Sequence, residues 1–454
     1  MTIHIFRFRH FVFFAVVAFC AFELPLMGLA TTYYIATNGN DSYNGRYASY
    51  QGGANGPFRT LHHASHTAIA GDTVKIRGGT YQEASSWDTN GTATNPITIT
   101  NYSGEAVIID GNYHTIPPGE YGVLLIIAGD WYKVSNLEIR YSRDYGLVLS
   151  GDHCTASNIY VQKSWGWGIV CSGWHCLINN CRAYNNSLMN EYYQHPSDWG
   201  GGITACRYPQ YTKIRRCTSW DNWGEGISTF ETYQITIEDC VSYDNQQNFY
   251  VSDTKYTLFQ RNLSYYTPGN MIQVYETQNG ILLGDEKFNP PSSDNTVINS
   301  LFLGGERNFA ASGSVLKNCL IANNTFVNAQ NTPSDCCNIM FFSGASSNTR
   351  FMNNIILQED GVPIAENGAS GITFGYNNWS RTPPGNCQGR GDIIGNPKLA
   401  KLGLTGPGLL TPQWFKIFKS SPARNRAKVL REVKRDFFNT LRGTNPDFGA
   451  HEFR

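Results

Sequence analysis

The feature that most constrains this chain is an internal repeat. A polar residue, usually Asn, precedes a short β-prone triplet at Asn136, Asn158, Asn180, Arg216, Asp239, Asn262, Asn299, Asn324 and Asn354. The intervals are 22, 22, 36, 23, 23, 37, 25 and 30 residues, a base step of 22–23 with insertions in some coils. A second column runs Gly146-Leu147, Gly168-Ile169, Gly202-Ile203, Gly226-Ile227 and Gly280-Ile281, with Asn248-Phe249 in the equivalent place. A unit this short cannot bury its own apolar face and must stack on copies of itself. Several short strands per step specify an all-β parallel solenoid. Asn suits the turns of such a stack, because its side chain hydrogen-bonds backbone groups and it tolerates left-handed φ.

Composition agrees. Only 15% of the 454 residues are charged, against roughly 25% in an average domain. Gly numbers 45, Asn 42, and 13% of residues are aromatic, which excludes a disordered chain. Apolar residues fall in short runs, which excludes a multi-spanning membrane protein. A net charge of zero removes any whole-molecule argument for a nucleic-acid partner. That zero is a sum of unlike parts. Lys398–Arg454 holds twelve Lys/Arg and four Asp/Glu, a local +8, and the first 30 residues (Arg7, Arg9, Glu23) add +1, so 31–397 carries −9.

Arg7 and Arg9 precede the apolar run Phe11–Phe22, then Pro25 and the small-residue pattern Gly28-Leu29-Ala30. This order predicts a signal peptide over 1–30 and a secreted or cell-surface product, with no stable membrane span after its removal. The remaining chain divides into a solenoid over 31–397 and a basic segment over 398–454 that packs on it or caps it. Residues 57–70 read as an amphipathic helix ended by Gly71-Asp72, an N-terminal helical cap over the open coil edge. Pro412–Leu441 reads as further helical pieces. Apart from Cys20, eleven cysteines remain. Cys181, Cys217 and Cys240 share one coil position, and Cys154 and Cys176 share another. They are expected as small-residue core stacks rather than disulfides, in a monomer.

Several segments resemble a known family. Tyr33-Tyr34-Ile35-Ala36-Thr37-Asn38-Gly39-Asn40-Asp41-Ser42, Gly56-Pro57-Phe58-Arg59-Thr60-Leu61, Ala70-Gly71-Asp72-Thr73-Val74 and Gly78-Gly79-Thr80-Tyr81 resemble the opening of secreted right-handed parallel β-helix proteins of the pectate-lyase-like superfamily. Asn445-Pro446-Asp447-Phe448-Gly449-Ala450-His451-Glu452 is similar to their closing motif. Trp220 to Glu231 resembles in part the calcium-binding coil of family 9 polysaccharide lyases. That resemblance implies Ca2+ at Asp221 and Glu225. It departs from the family where Gly224 and Glu225 stand in place of paired Asp, and where Tyr250 stands near the position of the catalytic Lys.

Read from the residues, a charged ladder lies four residues on from the Gly-Ile column: Arg207, Glu231, Asp253 and Asp285. Coils lie roughly 4.8 Å apart, so three stacked carboxylates repel unless a cation, a proton or Arg207 intervenes. The same coils hold the longest insertions, with His195 and Asp198 in one and Glu276 in the other. Trp165, Trp167, Trp199, Trp220, Trp223, Tyr250 and Tyr275 offer faces for sugars. Arg207, Glu231, Asp253 and Tyr250 are the candidate catalytic residues, and Trp199, Trp223, Asp285 and His195 the candidate substrate contacts. Three chemistries stay open. Calcium held by several of Glu225, Glu231, Asp253 and Asp285 could neutralise a uronate while Arg207, Tyr250 or a Lys removes its C5 proton. Two carboxylates could hydrolyse a glycoside, at separations of about 5 or about 6.5–9.5 Å. The ladder could also be structural, with Arg207 paired to Glu231. The expected partner is an extracellular, acidic polysaccharide, which the chain either cleaves by β-elimination or only binds.

Overall fold

The computed structural model describes residues 30–113, 122–190, 200–268, 278–330 and 337–454. Strands stack in register along the chain: Leu147 pairs with Ile169, Ile169 with Ile203, Ile203 with Ile227, and Ile227 with Phe249, all in parallel. Among the described residues the strands form one sheet of 22, which turns a corner and so supplies two faces, and one of 13, the third face. This is a right-handed parallel β-helix of three strands per coil. Inward positions are apolar and closed to water, among them Ile203, Ile227, Phe249, Phe259, Phe302, Phe326, Phe351 and Trp379. Each such large side chain contributes about 2–3 kcal/mol on burial.

The polar repeat column proves to be two adjacent columns. The outer one holds a left-handed backbone at Asn136, Asn158, Asn180, Arg216, Asp239, Arg261, Asn299, Asn323 and Asn353, with φ between 49° and 60°. The residue after each is buried, and this inner column runs Leu137, Ile159, Cys181, Cys217, Cys240, Asn262, Ser300, Asn324 and Asn354. The amides of Asn262, Asn324 and Asn354 donate to the carbonyls of Ile237, Val297 and Ile321 at 2.9–3.0 Å. Their side-chain oxygens accept from the backbone N–H of the neighbouring coil, as Asn324 does from Ser300 at 2.9 Å. The thiols of Cys181, Cys217 and Cys240 donate in the same sense, to Ala156, Ile178 and Ile214, each at 3.6 Å. The cysteines are therefore weak-donor members of the ladder as well as small core residues. All ten described cysteines are buried.

The N-terminal helix is shorter than expected. It spans only Leu61–Ser65, with Thr60 Oγ1 accepting from His63 N at 3.0 Å, and no helical cap is seen among the described residues. The Ser65 and Thr67 hydroxyls bond back to the carbonyls of His62 and His63, offering the backbone an alternative to more helix. Residues 1–29, where the signal peptide is expected, lie outside the described residues.

The C-terminal segment runs along the outer surface of the third face. Leu399, Leu410, Trp414, Phe415, Ile417 and Phe448 pack on Tyr243, Leu263, Tyr265, Leu301, Val327 and Ile355. Of the helical pieces expected over Pro412–Leu441, one 3-10 turn forms, Pro412–Phe415. The rest is held by hydrogen bonds to the outer column, such as Asn353 Nδ2 to Lys428 O at 2.8 Å and Asn299 Nδ2 to Arg435 O at 2.8 Å. His451 Nδ1 accepts from Ile417 N at 3.1 Å. Burial, with Lys416 and Arg442 nearby, pushes that imidazole down from the usual 6.5 to about 4.

Two outcomes test this account. Asn324→Ala strands a buried N–H and a buried C=O and is expected to cost about 2–4 kcal/mol, whereas Cys217→Ser keeps a donor and should cost much less; urea unfolding measures both. Between pH 6.5 and 4 the unfolded chain takes up the His451 proton before the folded chain does. Stability from this group is therefore complete above pH 6.5 and falls as pH drops through that window, by at most about 3 kcal/mol. His451→Asn, which can keep an acceptor for Ile417, should flatten that part of the unfolding-versus-pH curve.

Candidate functional site

Most strands of the solenoid have three residues, but where the ladder falls they lengthen. Gly201–Cys206 has six residues, Glu225–Tyr233 nine and Gln247–Lys255 nine. These strands make a broad platform on the first face, and a cleft of about 240 Å³ lies upon it. Register fixes its rows: Thr204 stands beside Ser228, and Ser228 beside Tyr250. Thr204 and Ser228 share a hydrogen bond of 2.8 Å. Arg207, Glu225 and Glu231 line the cleft with Tyr250, and Glu286 and Phe288 reach it from the loop after Gly284. At its other end Tyr145 and Trp167 stack at 5.4 Å, an aromatic edge of the kind that packs on a sugar ring. A second cleft, of about 280 Å³, continues past Glu225, Tyr250 and Glu286 to Gln246 and Gln247.

Tyr250 Oη donates to Glu286 Oε1 at 2.7 Å. Burial, reinforced by the Glu286 charge, pushes the phenol well above its ordinary range, so it stays protonated. Gly284 makes room for this ring: a Cβ there would stand 2.5 Å from Tyr250 carbon and oxygen atoms. Glu231 accepts from Tyr208 Oη at 3.3 Å. Arg207 is exposed and forms no ion pair among the described residues, so the expected Arg207–Glu231 bridge is absent from them. Cys206 also lines the cleft, but burial pushes its thiol up to about 12, leaving it unsuited to attack as a thiolate.

The ladder residues part company here. Asp253 is fully buried and accepts from Ser252 Oγ at 2.7 Å, Glu286 N at 3.0 Å and Phe288 N at 2.9 Å. It braces the loop that carries Glu286 and Phe288 and does not face the cleft. Asp285 turns to Lys287 N at 3.1 Å and Ser314 Oγ at 3.2 Å, and its neighbour Glu286 takes the place expected for it. Asp285 keeps the ladder's register, following Gly284 as Arg207 follows Cys206, but its carboxylate is drawn away from the cleft by Lys287 N and Ser314 Oγ. Trp223 lies outside the cleft, and Trp220 stacks between Tyr184 and Tyr243 on the third face. His195, Trp199, Tyr275 and Glu276 lie outside the described residues.

Asp221 and Glu225 do not make a cation cage. Asp221 follows the third-face strand Thr218–Trp220, and Glu225 opens the first-face strand. Among the described residues no three Asp, Glu, His or Cys side chains gather around one point, whereas calcium takes about 6–8 oxygen ligands. Among the described residues the carboxylates do not gather as calcium ligands, and no step is routed through calcium.

Residues 33–258 match the family described as "Pel9A-like, right handed beta helix region". Over 102 residues the chain is 39% identical to the uncharacterized protein YwoF of Bacillus subtilis (strain 168), covering 22% of this chain and 20% of that protein. Over 122 residues it is 30% identical to pectate lyase PEL9 of Emericella nidulans, covering 24% and 28%. Each match thus spans under a third of the curated relative. Among solved structures, pectate lyase Pel9A superposes with a TM-score of 0.55 at 15% identity, over 94% of this chain and 98% of that one. A complex of XylC with xylose superposes at 0.53 and 10% identity, over 93% and 98%. At these identities the likeness is one of fold.

The fit of Tyr250 against Gly284 is open to a direct test. Gly284→Ala is expected to cost about 1–3 kcal/mol by overpacking. In a double-mutant cycle most of that cost should vanish when Tyr250 is also Ala; urea unfolding of the four proteins measures it.

Proposed function

Since residues 33–258 match the Pel9A-like right-handed β-helix family, we propose that the first-face cleft cleaves an acidic polysaccharide by β-elimination. The observation that carries this reading is an exposed guanidinium, Arg207, in the same cleft as the Tyr250–Glu286 pair. In this reading Arg207 binds the carboxylate of a uronate residue. Drawing charge from that carboxylate makes the C5 proton easier to remove. Glu231 accepts the proton, the C5–H electrons become the C4=C5 double bond, and the C4–O4 bond breaks. Tyr250, kept protonated by burial and by Glu286, gives its proton to the departing O4. Glu286 orients the phenol and Asp253 holds Glu286 in place. Tyr145 and Trp167 stack on a neighbouring sugar.

A second reading draws on the three carboxylates in the clefts. Glu225, Glu231 and Glu286 outnumber Arg207, and that excess repels a polyanion. Two of them could instead act as acid and base on a less charged glycan. The export, secretion and extracellular partner expected from the N-terminal residues belong to either reading.

Incubation with polygalacturonate, alginate and a neutral xylan separates them. β-Elimination predicts rising ultraviolet absorbance from the unsaturated product, and Tyr250→Phe should lower kcat about 10²–10⁴-fold without lowering Tm. Rising reducing ends without absorbance would assign hydrolysis. Neither signal on any of the three polymers, with binding retained, would leave a glycan-binding protein.

A further inference from the structure

The basic C-terminal segment has no part in the cleft, yet it builds a pocket of its own. This pocket, of about 180 Å³, is lined by Lys428, Arg431, Lys434 and Arg442, with Leu430 and Val433 at its apolar wall and no carboxylate in its lining. Its apolar wall packs on Ile298, Leu320, Ala322 and Met352 of the second face, and Asn323, at the turn towards the third face, is in its lining. Arg442 is the built part, its side chain only 4% exposed. Nη1 donates to Glu452 at 3.1 Å and to Asp447 O at 3.0 Å; Nη2 donates to Asn299 at 3.0 Å and to Gly449 O at 2.7 Å. Among the described residues its buried Nε–H has no partner.

A buried donor left unpaired is costly in a folded protein, and so are four cations around one cavity. An anion relieves both. The nearby carboxylates reach only two of these cations: Glu432 pairs with Arg350 at 2.8 Å and lies 4.0 Å from Arg431, and Glu452 pairs with Arg442 at 3.1 Å, so Lys428 and Lys434 have no ion pair among the described residues. The same segment of the chain also carries Arg424, Arg426 and Arg435. A single small ion would use only the pocket. A polymer with repeated charges would use the pocket and further cations of the segment.

We infer that this pocket is a second glycan-binding site, taking a carboxylate or sulfate group of an acidic polysaccharide while the neighbouring cations hold adjacent charged sugars. The site lies on a different face from the cleft and stands whether or not the cleft is catalytic. Binding here would raise the local concentration of polymer at the first face, offsetting repulsion by the acidic body.

The test uses the full chain carrying Tyr250→Phe, so that polymer is not consumed, and compares it with the same chain carrying Lys428→Gln, Arg431→Gln and Lys434→Gln. Retention is measured by affinity electrophoresis in polygalacturonate, dextran sulfate and duplex DNA, with Tm confirming that both proteins are folded. The triple change should weaken retention in at least one glycan about tenfold, more at low salt than at high. Loss in polygalacturonate assigns a carboxylate, and loss in dextran sulfate a sulfate. Unchanged retention in both glycans overturns the inference, as does a loss seen in DNA alone. If inorganic sulfate raises Tm but neither glycan is affected, the pocket is an ion site only and the inference fails.

Discussion

The structure depends on side chains at the turns that hydrogen-bond from one coil to the next. A coil of three short strands leaves unpaired backbone groups at each corner, and water cannot reach the inner ones. Asn262, Ser300, Asn324 and Asn354 satisfy them in the later coils, and Cys181, Cys217 and Cys240 do so more weakly in the earlier ones. With the corners fixed, each strand has one register, because a slip of one residue would turn the isoleucine and phenylalanine stacks out to solvent. Fixed registers then place Thr204, Ser228 and Tyr250 side by side on the outer surface.

The cleft exists because three successive coils relax the usual brevity of the strands. Longer strands widen the first face, and the left-handed residues Arg207, Glu231 and Asp253 at their bend have φ of 66°, 52° and 48°. Left-handed geometry is unfavourable for residues other than Gly and Asn. The chain tolerates it where Arg207 and Glu231 face the cleft and where Asp253 is held by three hydrogen bonds. Asp253 shows how one buried carboxylate positions others: it fixes the loop, the loop carries Glu286, and Glu286 meets Tyr250.

The repeat was legible in the sequence because it arises from local backbone geometry that Asn and Gly report directly. The Gly-Ile column fell on the first-face strands as read. The Asn column did not resolve into two, since Asn serves both as a left-handed turn residue and as a buried donor, and the sequence alone does not distinguish those uses. The N-terminal helix was overread because the buried spacing of Leu61, Ala64 and Ala68 continues past Ser65, where the Ser65 and Thr67 hydroxyls bond to helix carbonyls instead. Within the site, Arg207 and Glu231 were legible from register, and Tyr250 from the resemblance, as the residue near the family's catalytic Lys. Glu286 was missed because it lies one residue past the ladder position, on a loop whose path is set by the hydrogen bonds of Asp253 to Glu286 N and Phe288 N, which no periodicity signals. The calcium ligands followed the resemblance into a coil that has Gly224 where the family places a carboxylate.

The central claim is that Arg207 and Tyr250 address the same bound sugar. The most direct measurement is a crystal structure of the Tyr250→Phe protein with an acidic oligosaccharide. The account predicts a uronate carboxylate on the Arg207 guanidinium and the O4 of that residue facing the ring of the substituted Phe, with Glu231 on the C5 side. A sugar bound with its carboxylate away from Arg207, or with its glycosidic oxygen between two of Glu225, Glu231 and Glu286, would contradict it.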